Sequence, residues 1–223
     1  MFSGSITALV TPFTDQGSVD YEALDRLVDF QLENSTDGLA VIGTTGESAT
    51  MTREEIIAVM NRVIGRVDGR IPIMAGTGLA GTAKTVEQTL TAAEMGADAA
   101  LVVTPYYIRP PQRGLEEHYT AIADASPIPL VLYNVPGRTG VDLLPETVER
   151  LSGHPRIIAI KEAVGDEGRV EELVARCGSD FTVLSGDDPT CLRSMELGGR
   201  GVVSVASNVA PAQMHEMCAA ALE

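Results

Sequence analysis

The sequence lacks tryptophan, has only 4% aromatic residues, and contains no run of about eighteen uninterrupted apolar residues. The missing apolar run argues against a membrane-spanning helix. Residues 1–10 have neither the basic start nor the long apolar stretch of a signal peptide. A chain of 223 residues can bury a substantial core without disulfides or metals. We therefore expect a cytoplasmic protein without a membrane partner.

Positive charge is also scarce. The formal net charge at pH 7 is −15, which argues against a nucleic-acid partner because binding to phosphates requires a basic surface. Only Lys84 and Lys161 are lysines among the 16 basic residues, and the others are arginines. Since the chain builds its basic surface from arginine, each of the two lysines needs a specific explanation.

Potential metal ligands are few and scattered. The three cysteines and three histidines lie far apart, at Cys177, Cys191, Cys218, His118, His154 and His215. No pair has the spacing of a metal site, and an odd number of separate cysteines fits reduced, mostly buried residues. We interpret the acidic pair Asp187-Asp188 as a cap for the seventh predicted helix, not as a metal site. No metal or other cofactor is expected.

Short apolar runs alternate with amphipathic segments along the whole chain. Most of these runs are continuously apolar, which is typical of parallel strands covered on both faces. Eight such strands, each followed by a helix, predict a (β/α)8 barrel that forms one domain over residues 1–223. The predicted strands are Ser5–Val10, Leu39–Ile42, Ile71–Ala75, Ala99–Val103, Leu130–Tyr133, Ile157–Ile160, Phe181–Leu184 and Gly201–Val205.

Local signals mark helix ends between these strands. Thr52 and Glu55 form a predicted capping box, Pro145 can open a helix, and Gly96 falls where a helix should stop. The final segment, Pro211–Glu223, carries apolar residues at helical spacing and then ends. We interpret it as a helix that is cut short.

In (β/α)8 barrels the active site lies at the C-terminal ends of the strands. Lys161 directly follows the predicted strand Ile157–Ile160, where an ammonium group loses hydration and its pKa falls. The neutral amine is the form that condenses with a ketone. Position alone leaves two interpretations open: a nucleophile, or a structural lysine that forms a salt bridge with Glu162 or caps the barrel mouth.

Other strand ends carry groups that suit an anionic keto acid. Thr44 and Thr45, flanked by glycines, offer hydroxyl and backbone N–H donors to a carboxylate. Arg138 can hold a second carboxylate through two hydrogen bonds. Tyr133 and Tyr107 can transfer protons, although either ring can equally serve for packing.

The segment Gly76-Thr77-Gly78-Leu79-Ala80-Gly81 matches the glycine spacing of a dinucleotide-binding turn. That fingerprint requires an acidic residue at the end of the next strand, but Asp98 precedes this strand and Thr104 follows it. We therefore interpret the glycines as a tight barrel loop. A nicotinamide-dependent oxidoreductase is kept as an alternative that would require binding of NADH.

Five motifs occur in order along the chain: Gly43-Thr44-Thr45-Gly46-Glu47-Ser48, Thr104-Pro105-Tyr106-Tyr107, Tyr133-Asn134-Val135-Pro136-Gly137-Arg138-Thr139, Ile160-Lys161-Glu162-Ala163 and Ser185-Gly186-Asp187-Asp188. Together they resemble the dihydrodipicolinate synthase family of pyruvate-dependent class I aldolases, from the first residue to the last. The resemblance implies a barrel enzyme that condenses pyruvate with aspartate semialdehyde in lysine and diaminopimelate biosynthesis.

The resemblance also implies catalytic roles for matched residues. Lys161 would form the imine with pyruvate, and Tyr133 would be the central proton shuttle. Thr44 and Tyr107 would complete a hydroxyl relay with Tyr133. In this family Tyr107 is donated across a tight dimer, so we expect a homo-oligomer that is impaired as a monomer.

The substrate contacts follow from the same resemblance. Thr45 and its loop would hold the pyruvate carboxylate, and Arg138 would bind the carboxylate of aspartate semialdehyde. Gly186 and Val203 would also contact substrate. Sibling enzymes share the lysine, the first tyrosine and the glycine–threonine loop, so an aldolase of N-acetylneuraminate or of a keto-deoxy-sugar acid stays open as an alternative.

The sequence departs from the family pattern in two respects. The family normally continues into a further helical domain, so we expect a barrel-only chain, and a folded but inactive barrel is a third interpretation. The family's feedback site for lysine lies near Ser48, Ala49 and Tyr106, which are kept. Lys84, however, stands where a carboxylate would hold the effector's ammonium group. Because like charges repel, we expect no inhibition by lysine.

Overall fold

Strands and helices alternate through residues 2–223, the part of the chain that the computed structural model describes. Eight parallel strands pair in sequence order and close into a barrel. All eight predicted strands are confirmed, with ends that shift by at most two residues. The strands are β1 (Gly4–Ala8), β2 (Gly38–Val41), β3 (Ile73–Gly76), β4 (Ala99–Val103), β5 (Leu130–Asn134), β6 (Ile157–Glu162), β7 (Thr182–Ser185) and β8 (Gly201–Ser204).

Helices connect the strands and surround the barrel. Within residues 2–223 they are α1 (Tyr21–Glu33), α2 (Arg53–Val67), α3 (Thr82–Met95), α4 (Gln112–Ala125), α5 (Pro136–Thr139), α6 (Pro145–Ser152), α7 (Glu167–Cys177), α8 (Cys191–Glu196) and α9 (Pro211–Leu222). In the same part of the chain, no helix combines the length and the apolar character that crossing a membrane would require.

The predicted helix signals have clear structural counterparts. The Thr52 side chain accepts a hydrogen bond from the Glu55 N–H, and the Glu55 carboxylate accepts one from the Thr52 N–H, which is the predicted capping box. Pro145 is the first residue of α6. Gly96 ends α3 with a φ of 97°, a left-handed conformation that glycine adopts without a steric penalty.

The apolar residues form separate layers inside and outside the barrel. Val131, Tyr133, Ala159, Leu184 and Val203 belong to the buried cluster inside the barrel. The alternate residues of the same strands pack outward against the helices. Each large aliphatic side chain buried in either layer contributes about 1.5–3 kcal/mol to the stability of the fold.

The register between β5 and β6 contains an irregularity. Leu130 pairs with Ile157, but Val131 pairs with Ala159, so one residue of β6 is left without a partner. Ile158 and Ala159 both pack against the interior cluster, whereas strict alternation would send one of them outward. The bulge therefore changes which face of the barrel the end of β6 presents.

Candidate active site

Lys161 lies at the C-terminal end of β6, inside the strand and not directly after it as the sequence predicted. The β ladder pairs Lys161 with Tyr133 in β5 and with Leu184 in β7. The side chain of Lys161 is 6% exposed, and its Nζ lies 4.2 Å from the centroid of the Tyr133 ring. The amine is therefore buried inside the barrel against an aromatic face.

Burial lowers the pKa of Lys161 to about 8, because desolvation disfavours the charged ammonium. The Asp188 carboxylate opposes this shift, and the Arg138 guanidinium adds to it. Glu162 points to the other face of the strand, so the alternative of a Lys161–Glu162 salt bridge is wrong. A substantial fraction of Lys161 is consequently a neutral amine near pH 8, which is the nucleophilic form.

Tyr133 provides the nearest hydroxyl-bearing ring. Burial raises the pKa of Tyr133, while the Thr44 hydroxyl and the charge of Arg138 act in the opposite direction. The phenol therefore stays protonated at neutral pH and can donate a proton. Thr44 and Arg138 are both exposed at the mouth of the barrel, where a substrate can reach them.

A cavity of about 280 Å³ opens beside these residues. Its volume suits small molecules with a few functional groups. Apolar side chains form much of its wall, and hydroxyl groups, the Gln88 amide and the Arg138 guanidinium provide its polar contacts. The residues that line it include Gly43, Thr44, Leu101, Val103, Tyr106, Tyr133, Val135, Arg138 and Thr139.

Gly186 lets the backbone after β7 approach the Lys161 side chain. A Cβ atom at Gly186 would lie 3.0 Å from Lys161 Cε and 2.7 Å from Ala163 Cβ, closer than such atoms pack. The Gly186 N–H also donates to the Glu162 carbonyl over 2.7 Å. The position therefore has room only for glycine unless Ala163 and the Lys161 side chain both shift.

The glycine-rich segment after β3 is a tight loop, as interpreted from the sequence. A Cβ atom at Gly76 would lie 2.3 Å from the Ile42 carbonyl oxygen, and one at Gly78 would lie 2.4 Å from the Val103 nitrogen. These glycines allow neighbouring backbones to pass close to each other. Their spacing is explained by packing at the strand ends.

The remaining sequence-predicted residues do not line the cavity. Thr45 is half-buried in the loop after β2, and Val203 is buried in β8 in the interior cluster, without lining the cavity. Tyr107 is 90% exposed, and its backbone N–H donates to the Thr139 carbonyl. One chain thus places Lys161 beside Tyr133, and Tyr133, Thr44 and Arg138 line the cavity, but Lys161 and Tyr107 are not part of its wall.

A buried polar network on the outer face of β5 and β6 was missed by the sequence reasoning. Asn134 and Glu162 are 0% and 3% exposed, and Asn134 Nδ2 donates to both Glu162 carboxylate oxygens over 3.0–3.1 Å. Burial raises the pKa of Glu162 to about 7, with Asn134 and Arg169 acting in the opposite direction. The only available sequence signal was polar character at positions next to Tyr133 and Lys161.

The prediction that the pair Asp187-Asp188 caps a helix is wrong. Asp188 Oδ2 accepts hydrogen bonds from the backbone N–H groups of Val205 and Ala206, so it supports the loop after β8. Asp187 Oδ2 accepts from the Thr190 hydroxyl, which is a turn contact and not a helix cap. Over residues 2–223, no three His, Cys, Asp or Glu side chains are grouped as metal ligands.

Known proteins resemble this chain over its full length. Residues 1–223 match the model of the Dihydrodipicolinate synthetase family. A 4-hydroxy-tetrahydrodipicolinate synthase from Pseudomonas aeruginosa is 54% identical over 222 residues, which cover 100% of this chain and 76% of the relative.

Solved structures give the same result. The dihydrodipicolinate synthase of Acinetobacter baumannii, crystallised with pyruvate, has a TM-score of 0.98 at 47% identity and covers 100% of this chain and 76% of its own. A structure described as the first monomeric dihydrodipicolinate synthase variant has a TM-score of 0.95 at 45% identity, over 98% and 74% of the two chains. The chain belongs to the dihydrodipicolinate synthetase family.

Proposed function

We propose that this chain is a lyase that condenses pyruvate with aspartate semialdehyde to hydroxy-tetrahydrodipicolinate, through a Schiff base on Lys161. The observation that carries the proposal is the buried Lys161 amine, with a pKa of about 8, held 4.2 Å from the Tyr133 ring. The family to which the chain belongs and the names of its relatives support the choice of substrates.

The chemistry begins at the neutral Lys161 amine. Nζ attacks the C2 carbonyl of pyruvate, and loss of one water gives the imine. Removal of a proton from C3 gives an enamine, whose C3 forms the carbon–carbon bond with the aldehyde carbon of aspartate semialdehyde. The amino group of that substrate then displaces Lys161 from the imine carbon, which closes the ring and releases the enzyme amine.

Tyr133 is proposed to move the protons of these steps. Its hydroxyl remains protonated at neutral pH and the Thr44 hydroxyl lies beside it, so it can give a proton to the departing water and recover one through Thr44. Thr45 would hold the pyruvate carboxylate with its loop, and Gly186 and Val203 would shape the floor of the site. Arg138, exposed at the mouth, would bind the carboxylate of aspartate semialdehyde.

Tyr107 is proposed to complete the relay in a second subunit, which makes the active form a dimer. Its side chain and that of Ile108 are 90% and 59% exposed in one loop, an unusual exposure for large apolar groups. A mixture of a Lys161→Ala variant and a Tyr107→Ala variant would then form hybrid dimers with one intact site. Recovery of activity on mixing is expected, and its absence in verified hybrid dimers would contradict the exchange of Tyr107.

Reductive trapping tests the main proposal. Incubation with pyruvate and borohydride, followed by intact-mass measurement and peptide mapping, should give one reduced pyruvyl adduct on Lys161. A Lys161→Arg variant keeps the charge and should give none. Product formation with aspartate semialdehyde, compared with sugar-acid aldehyde acceptors, then identifies the second substrate. Absence of an adduct in folded wild-type protein would overturn the proposal.

A further inference from the structure

The bulge in β6 decides which face of the barrel carries Lys161. Ile157 packs outward with the helix-facing cluster, and in a strictly alternating strand Lys161, four residues later, would also point outward. Because Ile158 is accommodated as an extra residue, Ile160 faces outward and Lys161 faces the interior beside Tyr133. Without the bulge, Tyr133 would stand opposite Ile160.

One residue beyond this pair, the opposite face of the two strands carries a hydrogen-bonded bridge. Asn134 pairs with Glu162 in the ladder, and Asn134 Nδ2 donates to both carboxylate oxygens. The Val164 N–H donates to Glu162 Oε1 over 3.0 Å, and the Ala163 N–H donates to the Asn134 carbonyl over 3.0 Å. This bridge requires the bulged register, because the unbulged register would set Asn134 against Lys161.

Asn134 also fixes the segment that follows β5. Its Oδ1 accepts from the Leu143 N–H over 3.0 Å, and its Nδ2 donates to Asp142 Oδ1 over 2.7 Å. Arg169 in α7 holds Asp142 in turn, with Nη2 2.6 Å from Asp142 Oδ2. The segment from Asn134 to Leu143 therefore begins at Asn134 and is hydrogen-bonded at its other end to the Asn134 side chain. Arg138 lies within this segment.

We infer that Asn134 and Glu162 are positioning residues for the reaction. Their bridge on the helix-facing side of the barrel holds the register in which Lys161 lies beside Tyr133, and Asn134 additionally holds the segment that carries Arg138. Neither side chain lines the cavity, so both act through Lys161, Tyr133 and Arg138. The inference rests on the proposed function, because it explains how the reacting amine is oriented.

The test compares Asn134→Ala, Glu162→Ala and the double variant in the trapping reaction with pyruvate and borohydride. Misplacement of a reacting group by about 1 Å can reduce a rate by about 100-fold, so each single variant should trap roughly 10- to 100-fold more slowly than wild type. Because the two residues form one bridge, the double variant should be little slower than either single variant. Asn134→Ala alone should also raise the KM for aspartate semialdehyde, through Arg138.

Two further variants separate positioning from general destabilisation. Glu162→Gln keeps an acceptor oxygen for Asn134 and should recover most of the lost rate. Gln31→Ala removes another fully buried hydrogen-bonding side chain, between β1 and α1, whose amide contacts Thr7 and the Ser207 carbonyl. This control should lower stability in the same way and leave the trapping rate unchanged.

Hydrogen exchange provides the readout that does not depend on activity. The amides of Ala163 and Gly186, which bond to the Asn134 and Glu162 carbonyls, should exchange faster in Asn134→Ala and should not change in Gln31→Ala. Wild-type trapping with unchanged rates in folded Asn134→Ala and Glu162→Ala would overturn the inference and leave the proposed function standing. If wild type forms no adduct, the proposed function fails, and unchanged amide exchange in Asn134→Ala would then overturn the bridge as well.

Discussion

The buried polar groups on the inner and outer faces of β5 and β6 differ in how many hydrogen-bond partners surround them. Inside the barrel, Lys161 has an aromatic ring beside it and no salt bridge within residues 2–223, and its pKa falls. Outside, Glu162 is surrounded by donors from Asn134 and Val164 and stays a structural group. Burial disfavours the charged form of both groups, but the hydrogen bonds of Glu162 hold it in place, whereas the Lys161 amine beside the ring stays free to react.

Replacing Lys161 should have the largest effect on activity. Lys161→Met removes the nucleophile, so product formation should fall by about 10³-fold or more. A fall of the pKa from 10.5 to about 8 means that folding disfavours the charged amine, so the variant should be about 1–3 kcal/mol more stable below pH 8. That gain should shrink as the pH rises from 8 to 10.5.

Urea unfolding at pH 7 and pH 10 measures this gain. Equal or lower stability of the Lys161→Met variant at pH 7 would show that the buried amine is compensated by a partner, which contradicts the contrast between the two faces.

Removing the Tyr133 hydroxyl should have the next largest effect on activity. Tyr133→Phe keeps the ring against Lys161 and removes the proton donor, so kcat should fall by about 10²- to 10⁴-fold. Tyr119→Phe is a matched control, because Tyr119 is buried on the outer side and its hydroxyl donates to the Val102 carbonyl over 3.1 Å. The control should lose about 1 kcal/mol of stability and keep its kcat. Comparable kcat values for the two variants would contradict the proposed role of Tyr133.

Crowding the inner face should have a smaller effect. Gly186→Ala places a Cβ atom 2.7 Å from Ala163 Cβ and 3.0 Å from Lys161 Cε, so both neighbours must shift and the trapping rate should fall about 10- to 100-fold. Gly65→Ala, in the exposed face of α2 with no atom within 4 Å of the added Cβ, should leave trapping unchanged and add about 0.5–1 kcal/mol of stability. A Gly186→Ala protein that traps pyruvate at the wild-type rate would mean that this contact does not orient the lysine.

Replacing the Glu162 carboxylate by an uncharged group should have the smallest effect on activity. Its effect on stability should depend on pH. Burial raises the pKa of Glu162 from 4.5 to about 7, although Asn134 and Arg169 oppose the shift and Asp142 contributes to it. The folded state therefore holds a proton that the unfolded state releases, so this residue makes stability decrease between pH 4.5 and pH 7.

Glu162→Gln removes that titration. The stability of the variant relative to wild type should rise by about 1–3 kcal/mol from pH 4.5 to pH 7 and then level off, as measured by urea unfolding at four pH values. A pH-independent difference would mean that Glu162 stays ionised in the fold.

The strands and the inner catalytic candidates could be predicted because their signals are local. Continuous apolar runs marked the eight strands, and a lysine at the end of such a run marked the amine. The face that Lys161 occupies could not be predicted, since it depends on the bulge at Ile158, which arises from pairing with β5. Strict alternation counted from Ile157 would have placed Lys161 on the helix-facing side of the barrel, away from Tyr133.

The outer residues were missed for the same physical reason. Asn134 and Glu162 meet only when two strands separated by more than twenty residues pair in one register, and Arg169 joins them from α7. Asp188 was assigned to a helix cap, but the barrel brings the backbone of Val205 within reach of its carboxylate. Long-range pairing therefore outweighed a local preference at each of these positions.

The pH dependence of reductive trapping is the most direct test of the central claim, that burial turns Lys161 into a neutral nucleophile. Trapping rates with saturating pyruvate would be measured from pH 6 to pH 10, with peptide mapping of the adduct. The account predicts a single adduct on Lys161 whose rate of formation rises through a pKa of about 8. A rate that rises only near pH 10.5, or an adduct on Lys84 instead, would contradict it.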